Sequence, residues 1–208
     1  MDQTDIAMRK KVLRREMRMR IKSFCADIQN RKNASAAAGR AFLTSEVYKD
    51  AGTVLLFVPL PDEVDTSYII EKALADGKRV AVPRTDGKGQ MDFYYLDGNR
   101  PVSGQLAAGS YGIFEPEKTA EMVDTLQFPP HAVIAVPGLA FSKDGNRLGR
   151  GKGYYDTYVR RIKTAGRNQP PALVAVCFSL QILESVPHDN FDLHLTHIAA
   201  GSGFFVCG

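Results

Sequence analysis

The chain has 208 residues, 44% hydrophobic and 24% charged, with a formal net charge of +4. That length suits one domain, residues 1–208, with a sizeable core, and the composition is ordinary for a soluble globular protein. The charge is modest and suits an anionic small ligand at least as well as nucleic acid. No stretch approaches eighteen apolar residues, and the basic N-terminus has no apolar region behind it, so neither a membrane span nor a secretory signal is expected. Cys25, Cys177 and Cys207 are an odd, widely spaced set without a C-x-x-C pair. They suit reduced thiols in the cytoplasm better than a disulfide framework.

Leu13, Met17, Ile21 and Phe24 recur at i, i+4, i+8 and i+11, which predicts a helix over about residues 5–24 with one apolar face. Its other faces carry Arg9, Lys10, Lys11, Arg14, Arg15, Arg18, Arg20 and Lys22 against the single acid Glu16. A solvated helix packed on the domain accounts for this pattern. A nucleic-acid arm is disfavoured because no aromatic residue is interleaved with the charges. A third reading has Lys10 and Arg14, neighbours one turn apart, directed at a polyphosphate.

A second helix is expected from about Ala26 to Leu43, weakened by Gly39. Thr53–Val58 is continuously apolar, as in a strand covered on both faces. Pro59-Leu60-Pro61 ends it, and Asp65 or Thr66 caps a helix running to about Asp76, with Gly77 as its C′ residue. Arg79–Val82 is the next strand, so strand, helix, strand implies a right-handed crossover and a parallel pair. Met91–Tyr95 is another strand, and the Gly, Pro and Ser content of Gly98–Phe114 suggests surface loops. Tyr111-Gly112-Ile113-Phe114-Glu115-Pro116, taken alone, is a turn.

The most informative stretch is Val133 to Tyr158, VIAVPGLAFSKDGNRLGRGKGYYDTY. An apolar strand, Val133–Val136, is followed by a loop rich in Gly and cations and by a helix opening near Tyr154. Strand, glycine loop and helix start together cradle phosphate, because the helix start exposes unpaired N–H groups and a partial positive charge. Gly149, Gly151 and Gly153 let an anion approach the main chain, and Arg147, Arg150 and Lys152 add charge at the same place. Asp156, in the first helical turn, is placed to hold the Mg²⁺ that accompanies a nucleotide. The loop is neither a Walker A motif nor a dinucleotide fingerprint. On the residues alone, a tight surface loop with solvated charges remains the other reading. Leu173–Cys177 gives one more buried strand, and the tail holds His188, Asp192, His194 and His197 before Phe204-Phe205-Val206. The zincin spacing is absent there, so ordinary polar or partly buried histidines are expected.

Alternating strands and helices predict an α/β domain, with ligands gathering at the carboxyl ends of the strands. The loop after Val58, holding Glu63, and the loop after Val136 should therefore meet. No G-x-S-x-G elbow or other arrangement for a protein nucleophile is present.

The string PGLAFSKDGNRLGRGKGYYD over Pro137–Asp156 resembles the signature of the 5-formyltetrahydrofolate cyclo-ligases, also called methenyltetrahydrofolate synthetases. Weaker likeness runs from Lys10 to about Asp192, and Lys10-x-x-Leu13-Arg14 matches the family's N-terminal nucleotide-contacting pattern. The resemblance implies a three-layer α/β/α fold with a mostly parallel sheet. It also implies a cytoplasmic, monomeric enzyme that uses ATP and Mg²⁺ to close 5-formyltetrahydrofolate into 5,10-methenyltetrahydrofolate, releasing ADP and phosphate. On that likeness, Lys10, Arg14, Arg147, Leu148, Gly149, Arg150, Gly151, Lys152, Gly153 and Tyr155 hold the nucleotide, with Arg147 and Lys152 catalytic. Val58, Glu63 and Tyr154 hold the folate, Glu63 at the pterin, and Asp156 and Asp192 hold the metal. The family usually has a second acid four residues after the one matching Asp192, where this chain has Thr196. Two other classes share these features: an ATP-independent sugar-phosphate isomerase and a non-catalytic folate or nucleotide binder.

Overall fold

Val54, Leu55 and Leu56 are all fully buried, yet they face two different cores. Successive side chains of a strand point to opposite faces, so a run apolar at every position requires cover on both. The computed structural model describes residues 3–87, 89–109, 114–164 and 170–208. There the run forms β1 (Thr53–Leu55), at the middle of a seven-stranded sheet among the described residues. Leu56 extends the pairing through its N–H to Ala81 O at 2.9 Å.

The sheet is mostly parallel, with antiparallel edges. From one edge it runs β12 (Gly203–Val206), β11 (His197–Ala200), β9 (Ala172–Val176), β6 (Ala132–Val136), β1, β2 (Arg79–Thr85) and β3 (Met91–Tyr95). The β1–β2, β1–β6, β6–β9 and β9–β11 pairs are parallel, and β12 and β3 close the edges in antiparallel fashion. Helices α2 (Ile28–Leu43), α3 (Glu46–Asp50) and α4 (Ser67–Ala75) supply Phe42, Tyr48, Ile69 and Ile70 to one core. Helix α5 (Tyr154–Thr164) supplies Tyr158, Val159 and Ile162 to the core on the other face. The α/β/α layering expected of the chain is present.

Helix α1 (Gln3–Cys25) reaches the main sheet's apolar clusters only at its C-terminal end, where Phe24 packs on Phe178 with ring centroids 5.0 Å apart. Its fully buried Met17 and Ile21 meet Leu139, Ala140, Leu148 and Val186 in a third core. Those partners come from or adjoin a small second sheet, β10 (Ile182–Leu183), β7 (Ala140–Ser142) and β8 (Arg147–Leu148). The uninterrupted loop expected after β6 therefore contains a hairpin. Its turn is made at Gly145, whose φ of 87° is open to glycine without strain.

Other differences from expectation have local causes. Helix α2 starts two residues later than Ala26 because Asp27 caps it, accepting from Asn30 N at 2.9 Å. Ahead of α4, Asp65 accepts from Ser67 N at 3.0 Å, while the Thr66 hydroxyl donates to Phe57 O at 2.6 Å. Strand β2 runs to Thr85 because β3 pairs with it as far as that residue. The described part of the Gly98–Phe114 segment is more than surface loop, and β4 (Leu106–Ala108) there pairs antiparallel with β5 (Phe114–Pro116). Buried Gln105 braces it through Asp97 N, Asp97 O and Arg100 O. Tyr111, Gly112 and Ile113 lie outside the described residues.

Candidate functional site

Strands on either side of β1 are reached by connections running in opposite directions, β2 on one side and β6 on the other. This reversal splays the loops after β1 and β6 and opens a crevice at their carboxyl ends, the usual ligand position in such sheets. A cavity of about 380 Å³ lies there. Phe57, Val58, Leu60 and Glu63 line it from the β1 loop, and Pro137, Gly138, Arg147 and Gly149–Tyr155 (with Leu148 and Gly151 outside the lining) bound it from the other side. Tyr154, Tyr155 and Asp156 open α5 at its wall, and Thr85, Met91 and Glu115 close the far end. The two loops predicted to meet do so.

Gly151 and Gly153 have φ of 102° and 71°, a left-handed backbone that side chains rarely adopt. Gly149 is required for a different reason: a Cβ there would sit 3.0 Å from the Arg147 guanidinium. Arg147 is itself nearly buried and anchored on both sides of the loop. Its Nη1 donates to Pro137 O at 2.9 Å, and its Nη2 reaches both Asp156 oxygens at 3.2 and 3.0 Å. Asp156 Oδ1 also accepts from Leu193 N at 2.9 Å, which draws the 189–193 segment against the start of α5.

Helix α1 is fastened to the same loop. Arg14 Nε donates to Gly149 O at 3.0 Å, and Arg18 Nη2 donates to Arg150 O at 3.2 Å. Lys10 is buried between two acids, with Nζ at 2.6 Å from Asp189 Oδ2 and 2.5 Å from Asp192 Oδ2. Burial alone would depress the Lys10 amine, but its bonds and attraction to Asp189 and Asp192 outweigh this and raise its pKa. The Lys10 bond in turn holds Asp189 below the usual carboxylate range.

Arg150 does not project into solvent. Its fork grips Asp62 through Nη1 at 3.1 Å and Nη2 at 2.8 Å, and its Nε donates to Glu63 Oε1 at 2.9 Å. Glu63 Oε2 accepts from Leu60 N at 3.0 Å. Burial pushes the Glu63 carboxyl up, opposed by Arg150 and the Leu60 N–H. The Tyr155 hydroxyl is buried at the cavity wall, with no hydrogen-bond partner among the described residues. Burial raises its pKa far above that of a solvated phenol.

Sequence reasoning missed Asp62, Arg18, Asp189, Thr85 and Glu115. Asp62 stands beside Glu63, and Asp189 precedes Asp192 by three residues, so both had an acidic neighbour as a signal. Glu115 had only its place in Tyr111–Pro116, a segment that resembles a short stretch of the family, and Thr85 had none: they meet through the fold, where Glu115 Oε1 accepts from Thr85 N and Oγ1 at 3.2 and 3.1 Å.

Among the described residues, no group of three or more His, Cys, Asp or Glu side chains could enclose a metal ion. Asp156 offers a partly exposed carboxylate at the cavity wall. A single carboxylate of this kind fits Mg²⁺ shared with phosphate oxygens and water. Thr196 is turned elsewhere, its hydroxyl bonding both Leu173 N (2.8 Å) and Leu173 O (3.0 Å) at the start of β9. The tail histidines have separate settings: the His194 ring fills the space beside Gly145, and His197 stacks on Phe204 with centroids 5.2 Å apart.

Residues 6–201 match the model of the 5-formyltetrahydrofolate cyclo-ligase family. A 5-formyltetrahydrofolate cyclo-ligase of Mus musculus is 30% identical over 190 residues, covering 91% of this chain and 92% of the relative. One of Saccharomyces cerevisiae is 32% identical over 155 residues, covering 68% and 71%. Among solved structures, the Aquifex aeolicus 5,10-methenyltetrahydrofolate synthetase superposes with a TM-score of 0.76 at 27% identity, covering 95% of this chain and 92% of that one. A central parallel sheet, a glycine loop at its switch point and a family match across nearly the whole chain agree, and the chain belongs to the 5-formyltetrahydrofolate cyclo-ligase family.

Proposed function

We propose that this protein uses ATP to cyclise 5-formyltetrahydrofolate to 5,10-methenyltetrahydrofolate. The observation that carries the reading is one cavity walled by a cationic glycine loop on one side and by a buried carboxylate, Glu63, on the other. A phosphate group and a hydrogen-bond-donating heterocycle have complementary walls in that one cavity.

The ATP phosphates lie along Leu148–Gly153, offset by Lys10, Arg14, Arg147 and Lys152, with Tyr155 on the nucleotide side. Phosphoryl transfer needs little covalent help, so positioning and charge stabilisation by these groups supply the catalysis. Asp156, and on the family likeness Asp192, would hold Mg²⁺, which would supply positive charge to offset the phosphate oxygens. The pterin rests against Glu63, whose carboxylate accepts paired N–H donors of the aminopyrimidinone ring, with Val58 and Tyr154 as its walls. The formyl oxygen attacks the γ-phosphorus, the bond to the β-phosphate oxygen breaks, and ADP leaves. The phosphorylated carbon is then attacked by N10, which loses its proton as the C–O bond breaks and phosphate departs. A cavity lined by Phe57, Pro137, Tyr154 and Tyr155 keeps water from the activated carbon and holds N10 near it. The same reading has the chain working as a monomer in the cytoplasm. Its three cysteines, all free, suit a reducing compartment.

Mixing the protein with Mg·ATP and 5-formyltetrahydrofolate tests the proposal through the methenyl chromophore. The expected result is a rise in absorbance that requires both ligands. Binding of both without turnover points to a binding protein, and turnover of a sugar phosphate without ATP points to an isomerase.

A further inference from the structure

Arg150 sits in the glycine loop, and its side chain reaches across to the loop after β1. Three hydrogen bonds tie it to Asp62 and Glu63, residues 88 and 87 positions away in the chain. Both its terminal nitrogens are taken by Asp62, and its Nε by Glu63, so the fork that would grip phosphate is already filled. Asp62 and Glu63 differ in setting. Asp62 is a third exposed and Glu63 is buried against the cavity. The fork thus fixes Arg150 on the outer acid, and the fixed guanidinium presents Nε to the inner one.

We infer that Arg150 is a positioning residue for the folate acid: it holds the Glu63 carboxylate oriented toward the cavity and couples the ATP loop to the folate wall. This rests on the proposed folate reading of Glu63. A buried carboxylate left alone favours its neutral form, which cannot accept two N–H donors. The groups facing Glu63 are Arg150, the Leu60 N–H and the Asp62 carboxylate, with the Tyr155 hydroxyl across the cavity and Arg147 beyond it. Of these only Arg150 both contacts Glu63 and carries a positive charge. The coupling follows from the connectivity. The Arg150 carbonyl also accepts from Arg18 of α1, so a nucleotide that orders the glycine loop also orders the partner of Glu63.

The sign of the pH effect is fixed. Removing Arg150 raises the Glu63 pKa further, so at neutral pH more Glu63 is protonated, and folate affinity should recover as pH rises. Folate and Mg·ATP are titrated separately into wild type, Arg150→Gln, Arg150→Lys and Asp62→Asn from about pH 6 to about pH 9, with thermal unfolding as the check on folding. The expected loss of folate affinity in Arg150→Gln at neutral pH is about 10- to 100-fold, shrinking toward the alkaline end, with a weaker pH dependence in wild type. Arg150→Lys should restore part of the affinity and bring the pH dependence back toward that of wild type. Asp62→Asn, which loosens the fork but leaves the charge, should give a smaller loss. Prior saturation with a non-hydrolysable Mg·ATP analogue should tighten folate binding in wild type and lose that effect in Arg150→Gln.

A pH-independent loss of folate affinity in folded Arg150→Gln marks a merely structural role and overturns the inference. So does a loss of ATP affinity as large as that of folate, which returns Arg150 to the phosphates. If Arg150→Gln does not fold, Arg150→Lys and Asp62→Asn decide the matter by the same pH comparison. Wild type that binds no folate at all removes the folate reading itself, and the inference with it.

Discussion

At the scale of single residues, charges in the cavity are held by other charges before any ligand arrives. Asp156 is gripped by Arg147, and Glu63 by Arg150. Replacing Asp156 with Asn keeps the shape but removes the charge that offsets Arg147 and that, in the proposed function, would offset Mg²⁺. Turnover should fall by at least an order of magnitude with the fold retained, and the Mg²⁺ concentration for half-maximal rate should rise. An unchanged Mg²⁺ dependence in the folded variant would remove Asp156 from the metal's surroundings. Glu63→Gln should weaken folate binding by about 1.5–3 kcal/mol, the scale of a charge-assisted hydrogen bond, with ATP affinity nearly unchanged. Equal losses for both ligands in separate titrations would be inconsistent with a pterin contact. Tyr155 gives the opposite kind of test. Its buried hydroxyl lacks a partner, so Tyr155→Phe removes an unsatisfied polar atom and should leave the melting temperature unchanged or raise it. A simultaneous loss of ligand affinity would identify the hydroxyl's partner as the ligand.

At the scale of elements, α1 and the glycine loop form one unit. Met17 and Ile21 bury against Leu148, immediately before the loop, while Arg14 and Arg18 hold two of the loop's carbonyls. Met17→Ala should cost about 2–5 kcal/mol in stability, as large-to-small core changes do. It should also weaken ATP binding beyond what the stability change explains, because the loop loses its support. Loss of stability with normal ATP affinity would separate helix from loop. The Lys10 cluster makes this docking pH-dependent. Asp189 is depressed, so its contribution is present above its unfolded pKa of about 3.9 and is lost as pH falls through its lower folded value. Lys10 is raised, so its contribution holds below about 10.4 and is lost as pH rises through its higher folded value. Protease sensitivity of α1 should therefore be flat between these limits and increase outside them, with Asp189→Asn removing the acid limb. Legibility in the sequence divides along the same line. The helix, the glycine loop and its following helix were readable because periodicity and turn chemistry are local. What α1 packs against was not readable, because β7, β8 and β10 are strands of two or three residues with no periodic signal of their own. The same limit hid the β4–β5 hairpin and the shared position of Lys10 and Asp189.

At the scale of the whole molecule, a mostly parallel sheet was legible, though not β11 within it, because β1, β6 and β9 are apolar at every position and helices join β1 to β2 and β6 to β9. The antiparallel edges were not: β3 was expected as a strand but without direction, and β12 only as an apolar tail. Placing the site at the switch point followed from topology, whereas the pairing of Arg150 with Asp62 and Glu63 is visible only once two loops 87 residues apart are brought together. The Lys10 contacts reach farther still, spanning 179 and 182 positions. A chain emerging from the ribosome therefore carries α1 long before the acids that hold it. Until the 189–192 segment has left the exit tunnel, α1 lacks its buried ion pair and the glycine loop lacks part of its brace. The nascent chain should stay silent toward ATP through most of its synthesis, gaining affinity only when the last strands are delivered. Arrested chains ending before and after that segment, compared for nucleotide binding, would show the change as a late step rather than a gradual rise.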